Sequence, residues 1–209
     1  MEISKTTVHI GLMRHAKTNW NLKKRIQGQK DEPLSPEGEA QAMVWCRELE
    51  STPWNRILAS DLDRARRTAE IISTALQIPM TIDSRLKEQD WGEWTGKTVK
   101  QLREEDSQKL AEQEVTGWGF CPPGGEDRHS VWKRSHDALL EAAAKWPGSR
   151  ILVIAHEGVI KSLIYRLYNR KFIPSETRIL KKGYFLHRLF CDKMGLQVAK
   201  INALRLSDA

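Results

Sequence analysis

Three short apolar runs constrain this chain more than any other feature, because each stops at a polar residue and gives way to a helical pattern. They are VHIGLM before Arg14-His15, RILA before Ser60-Asp61, and RILVIA before His156. Short runs rich in Ile, Leu and Val read as strands buried on both faces. Ser35-Pro36-Glu37-Gly38 opens a helix, with Ser35 suited to the N-cap and Pro36 to the first turn. Ala42, Val44, Trp45 and Leu49 give that helix a buried stripe. A second helix runs from about 63 to 76, with Ala65, Ala69, Ile72 and Leu76 at helical spacing. A third runs from 126 to 146 after the turn Pro122-Pro123-Gly124-Gly125, and a fourth follows His156 with Val159, Leu163 and Ile164 inward. Strands are also expected at 80–82, 184–189 and 198–204, the last two at a sheet edge, while 19–33 reads as a polar loop. Strands alternating with helices predict an α/β fold, a three-layer α/β/α sandwich with a mostly parallel central sheet. The whole chain, 1–209, is expected to form one domain, with the strongly polar stretch 97–121 as a small helical lid inserted in it.

In an open α/β sheet, ligands bind at the carboxyl ends of the strands. Arg14, His15, Arg64 and His156 stand at or just beyond such ends, so two imidazoles and two guanidinium groups are expected around one crevice. Four groups able to carry positive charge, gathered near helix starts, suit an anion and above all a phosphate. The chain has 34 Lys and Arg against 27 Asp and Glu, a formal charge of +7. The cations are spread along the sequence with acids between them, and no basic run is interleaved with aromatics. That pattern argues against nucleic acid and assigns the excess to a solvated surface plus a cationic pocket. Cys46, Cys121 and Cys191 are scattered and lack a CxxC pair, which argues against a disulfide framework or a zinc site. No apolar run is long enough to span a bilayer, and MEISKTTVHI has no signal-peptide core. A cytoplasmic protein without membrane partners is expected.

Arg14-His15-Ala16-Lys17-Thr18-Asn19-Trp20-Asn21, continuing through Arg25, Gln27-Gly28, Asp31 and Pro33 to Gly38, closely resembles the signature of the histidine phosphatase superfamily, also called phosphoglycerate-mutase-like. Four further motifs follow in the family's order. They are Ser60-Asp61-Leu62-Asp63-Arg64-Ala65 with Thr68-Ala69, the acid loop from Leu86 to Gly96, Pro123-Gly124-Gly125-Glu126, and Ala155-His156-Glu157-Gly158. The resemblance implies that His15 attacks phosphorus and becomes a phosphohistidine. It implies that Arg14, Arg64 and His156 hold the phosphoryl oxygens, and that Asn21 and the Gln27-Gly28 turn support the rim. Glu88 is implied to protonate the leaving oxygen and then deprotonate the attacking water. No metal or cofactor is implied, and the partner is a small phosphorylated metabolite.

Three positions depart from the commonest family spelling: Ala16 and Glu157 where glycine is usual, and Lys17 where an acid is usual. Lys17 adds charge near the rim or lies solvated. Glu157 is expected in the first turn of the next helix, where the dipole favours an acid. Asp61 and Asp63 read as helix caps, Glu126 as either a pocket-entrance acid or a stabiliser of a helix start, and His9, His129, His136 and His187 as structural. The mutase branch carries a different acid loop and an arginine pair in the lid. No Arg-Arg pair occurs between Gly96 and Pro122 here, and the lid has few cations, so hydrolysis of small phosphate monoesters is the expected activity. A phosphoglycerate mutase and a non-catalytic phosphate-binding module are the alternatives.

Overall fold

The computed structural model describes residues 6–206; the first five residues of the segment read as lacking a signal-peptide core lie outside them. In chain order the elements are β1 (Val8–Arg14), α1 (Asn19–Leu22), α2 (Pro36–Leu49), β2 (Arg56–Ala59), α3 (Asp63–Leu76), β3 (Met80–Ile82), α4 (Val99–Glu105), α5 (Ser107–Val115), α6 (Arg128–Lys145), β4 (Arg150–Ala155), α7 (Glu157–Leu167), β5 (Phe185–Asp192) and β6 (Gly195–Arg205). One six-stranded sheet has the order β3-β2-β4-β1-β5-β6. The first four strands pair in parallel, and β5 and β6 join antiparallel at one edge. The fold is therefore α/β, with β6 at the edge.

Strand β4 lies between β1 and β2 and shows why the pattern RILVIA gives a central strand. Its alternate side chains Ile151, Val153 and Ala155 pack into a core with Leu139 and Ala142 of α6 and Val159 and Leu163 of α7. Leu152 and Ile154 point the other way, into a core with Trp45 and Leu49 of α2 and Ala65, Ala69 and Ile72 of α3. Both faces are covered by helices, so every position of the strand after Arg150 has to be apolar. Ser35 caps α2 as expected, its Oγ accepting from the Gly38 amide at 3.1 Å with Pro36 in the first turn.

The sequence reading needs three adjustments. Residues 19–22, read as loop, form the helical turn α1, because Thr18 and Asn21 make a reciprocal capping box. The cap position of α3 is Leu62, not Asp61 or Asp63. The Ser60 hydroxyl accepts the Leu62 amide there, while Asp61 pairs with Lys87 and Asp63 with Arg66. Helix α6 begins at Arg128 with Asp127 as its cap, two residues later than read from the sequence.

The polar stretch 97–121 contains α4 and α5. Leu102, Leu110 and Phe120 from it share a small separate core with Trp94 of the acid loop. Trp91 stacks edge-on to Phe120 with ring centroids 5.5 Å apart. Its base is tied to the loop after β1, where the Ile26 amide donates to the Lys97 carbonyl and the Gly96 amide to that of Ile26. The insertion thus rests on both the acid loop and the loop that follows His15.

Leu152 is fully buried between the two helical layers. Truncation to Leu152→Ala should lower unfolding free energy by about 2–5 kcal/mol, read as a shift of the urea midpoint with an unchanged slope. A loss under about 1 kcal/mol would show that the central strand is not packed as described.

Candidate active site

Register brings the predicted residues together. Arg14 of β1 pairs with Ala155 of β4, and Ile154 of β4 pairs with Ala59 of β2, so all three strands end at one level. The chain tightens there further: the His15 amide donates to the Ala155 carbonyl at 3.0 Å and the Ser60 amide to that of Ile154 at 3.1 Å. His15 and His156 face each other with ring centroids 5.1 Å apart. Both are buried, as is Arg64.

The hydrogen bonds fix what each group can do. His15 Nδ1 lies 2.7 Å from the Ala16 carbonyl oxygen, which only a protonated Nδ1 can use as a donor. Nε2 then holds the lone pair. Burial first, and Arg14 and Arg64 after it, hold the His15 pKa well below 6.5, so the ring is neutral at neutral pH and its lone pair is available. His156 is depressed in the same way by burial and by Arg64, His15 and Arg14. Its Nε2 is 2.9 Å from Ser60 Oγ. Ser60 Oγ accepts from Leu62 and carries a proton that it can donate to His156 Nε2; in that tautomer the ring proton is on Nδ1.

That Nδ1 has no partner, and neither do Arg14 Nε and Arg64 Nε, although all three are buried. Buried donors without acceptors are costly, typically about 1–3 kcal/mol each. Arg14 and Arg64 both act electrostatically on His15 and His156, so these groups share one crevice, and that crevice suits an oxygen-rich anion. The rest of Arg64 is rigidly held: Nη1 donates to the Lys30 carbonyl at 2.9 Å and Nη2 to the Gly28 carbonyl at 2.7 Å. Gly28 has φ of +51°, and a side chain there would collide with Thr95 and Trp91, so this carbonyl is available only because the position is glycine.

Glu88 sits at the start of α7. Its Oε1 accepts from the Gly158 amide at 3.0 Å and from the Gln89 amide at 2.8 Å. A β-carbon on Gly158 would lie 2.2 Å from that oxygen, so no larger residue leaves Glu88 in place. Asn21 and Gln27 are less directly engaged. The Asn21 side-chain oxygen is occupied by the Thr18 amide at 3.0 Å, shaping the loop after the nucleophile, and Gln27 is buried with its own Oε1 unpartnered.

Glu157 does occupy the first turn of α7, and it also reaches Arg14, with 2.8 Å between Oε2 and Nη1, and pairs with Lys161. Burial works against its charge, yet Arg14 and Lys161 hold its pKa down to about 2. Glu126 is not in the crevice. Its carboxylate pairs with Arg134 Nε at 2.7 Å, and Arg134 in turn donates to the carbonyls of Arg85, Lys87 and Glu88. Arg134 therefore braces the acid loop, a role that its place on an ordinary-looking helix gave no hint of. Ser60 and Thr68 were also not singled out. Thr68 Oγ1 accepts from the Ala16 amide and donates to the Arg64 carbonyl, joining the two halves of the crevice. Their signal was the motif around Arg64 that contains them both.

Comparison with known proteins shows what the chain is similar to. The family model for the histidine phosphatase superfamily (branch 1) matches residues 10–180. A protein named "Probable phosphoglycerate mutase GpmB" from Salmonella choleraesuis is 39% identical over 150 residues, 71% of this chain and 69% of its own length. Among solved structures, YhfR from Bacillus stearothermophilus superposes with a TM-score of 0.83 at 27% identity, covering 94% of this chain and 98% of that one. A mycobacterial glucosyl-3-phosphoglycerate phosphatase in complex with VO3 gives 0.78 at 27% identity, covering 94% and 99%.

His15, His156 and His187, the last lowered to about 4 by burial, are all depressed in the fold. An unfolded chain protonates these imidazoles near 6.5 while the native state does not, so stability is fully present above that pH and is lost on acidification. The loss is up to about 1.4 kcal/mol per pH unit for each group. Urea midpoints should fall steadily from pH 7 to pH 5; a flat profile would contradict the buried neutral rings.

Proposed function

Since this chain belongs to the histidine phosphatase superfamily, branch 1, we propose that it is a metal-independent phosphatase acting on small phosphate monoesters. The observation that carries the reading is that Arg14 and Arg64, each with a buried unpartnered Nε, and His156, with a buried unpartnered Nδ1, all neighbour the neutral ring of His15. Phosphoryl transfer needs positioning and positive charge at the equatorial oxygens more than it needs covalent ingenuity, and the two arginines supply that charge. In the proposed reaction His15 Nε2 forms a bond to phosphorus as the ester oxygen departs with a proton from Glu88. Water then attacks the phosphohistidine, gives its proton back to Glu88, and releases phosphate. The segment 97–121 serves as the lid of one catalytic domain, a role supported by the core it shares with the acid loop. Three free cysteines fit a reducing cytoplasmic compartment.

A second reading, phosphoglycerate mutase, draws on the name of the Salmonella relative and on cations that the sequence alone did not gather. Lid residue Arg103 lines a cavity with cations from outside the lid, so the scarcity of charge in the lid is a weaker argument against a mutase than it is in the sequence.

Purified protein should release phosphate from p-nitrophenyl phosphate faster than it interconverts phosphoglycerates in the presence of 2,3-bisphosphoglycerate, and chelation with EDTA should leave the rate unchanged. Faster interconversion would establish the mutase instead. His15→Ala should lose on the order of a thousandfold or more. Glu88→Gln should cost an alkyl phosphate roughly a hundredfold and an activated aryl phosphate much less, because only the poorer leaving group needs the proton. Equal losses would remove Glu88 from the acid role.

A further inference from the structure

A cavity of about 780 Å³ opens beside Arg14 and Glu157, between the loop after β1, the insertion, α7 and the segment leading into β5. Its wall holds ten lysines and arginines against three glutamates, whereas the chain has 34 against 27, so outside the wall the two signs balance at 24 each. The entire positive excess of the protein therefore surrounds one concavity. The six wall cations Lys17, Lys24, Arg103, Arg178, Lys181 and Lys182 come from three separate parts of the chain, and none forms an ion pair within 4 Å among the described residues, although Arg178 is near enough to Glu157 to help hold its pKa down. Like charges gathered without counter-ions repel one another, and a cleft lined by one sign focuses the field that attracts the opposite one.

Two features make this more than a charged surface. The cavity borders Arg14, whose Nε is buried and unpartnered, so the cationic wall and the candidate phosphate pocket share that arginine, although His15, Arg64, Glu88 and His156 do not line the cavity. It also has an apolar component, the pair Tyr165 and Phe172 with ring centroids 4.6 Å apart. The volume lies within the range of about 300–1,000 Å³ that encloses metabolite-sized ligands, and exceeds what the transferred phosphoryl group itself requires. A concave wall suits a compact anion rather than a polymer laid along a face.

We propose, on the footing that the crevice is a phosphatase site, that the substrate is a phosphate monoester carrying a second anionic group beyond the ester. The distal group, a phosphate or a carboxylate, sits against Arg178, Lys181 and Lys182, and the organic portion between the two anions passes Tyr165 and Phe172. Lysines 181 and 182 are exposed at the outer part of the wall, so they attract the distal anion without taking part in the chemistry at His15.

The test uses three hexyl phosphates that differ only at the far end, which bears a hydroxyl, a carboxylate or a second phosphate. At low salt kcat/KM for an anionic tail should exceed that for the hydroxyl tail roughly tenfold, with the larger of the two ratios identifying the distal group, and the preference should shrink as salt rises. Reversing two charges together, Lys181→Glu with Lys182→Glu, should bring the ratio to unity or below, while Lys100→Glu, on an exposed lid lysine outside the wall, should leave it intact. Equal rates on all three probes, or a preference that survives the reversal, would overturn the proposal. If no probe is hydrolysed, the phosphatase reading fails on its own. Calorimetric titration of His15→Ala with hexane bisphosphate then decides the subsite, which stands if binding is lost on charge reversal and falls if there is no binding to lose.

Discussion

The common level at which β1, β4 and β2 end is the constraint on which the rest of this structure depends. Parallel pairing sets Arg14 against Ala155 and Ala59 against Ile154. Consequently the residues just beyond each strand, His15, His156 and Ser60, have nowhere to go but into one another's company. The register is in turn imposed by burial on both faces: sliding β4 by one residue would carry Leu152 and Ile154 from one helical layer into the other. The two hydrophobic cores thus set the spacing of the imidazoles, and core residues Ala155 and Ile154 hold His15 and Ser60 directly through their carbonyls.

From that geometry the chemistry of the two histidines follows. Rings brought to 5.1 Å in a buried crevice beside two arginines are stable only as neutral groups. Neutrality is what a nucleophile requires, and the Ala16 carbonyl then decides which nitrogen keeps the lone pair. The same burial that depresses these pKa values strands Arg14 Nε, Arg64 Nε and His156 Nδ1 without acceptors. Stability is given up at the place where an anion restores it, since a ligand bound only by the native state stabilises that state.

Much of this was legible in the residues, and what was not has a physical reason. Strands that are apolar throughout and helices with regular stripes were visible because burial repeats at a fixed period; β4 and α3 are examples. Arg14, His15, Arg64, Glu88 and His156 stood out through their motifs. Helix α1 was missed because its stability is a reciprocal cap between Thr18 and Asn21 rather than an apolar stripe. Arg134 was missed because it acts on backbone carbonyls of a loop some fifty residues away, and carbonyls leave no trace in sequence. The clustering of charge was hidden for a related reason: cations at 24, 103 and 181 are interleaved with acids along the chain, and only folding sorts the two signs into different regions.

Glu157 stands between the candidate phosphate pocket and the cationic wall. It stands where the family usually has glycine, its carboxylate paired with Arg14 on one side and Lys161 on the other. It neutralises part of a wall in which Glu114 and Glu176 are the other acids. It does so from the helix start next to His156 while leaving Arg14 Nε free. An incoming phosphoryl group therefore meets an arginine that is already oriented, at the cost of a carboxylate nearby. That carboxylate repels anions, so a phosphate monoester with no other charge gains less from this pocket than one whose second anion engages the cations farther along the wall. Under the proposed reading Glu157 thus raises the penalty on substrates with no anionic group besides the ester, and the excess charge beyond it lowers the penalty for those that reach across.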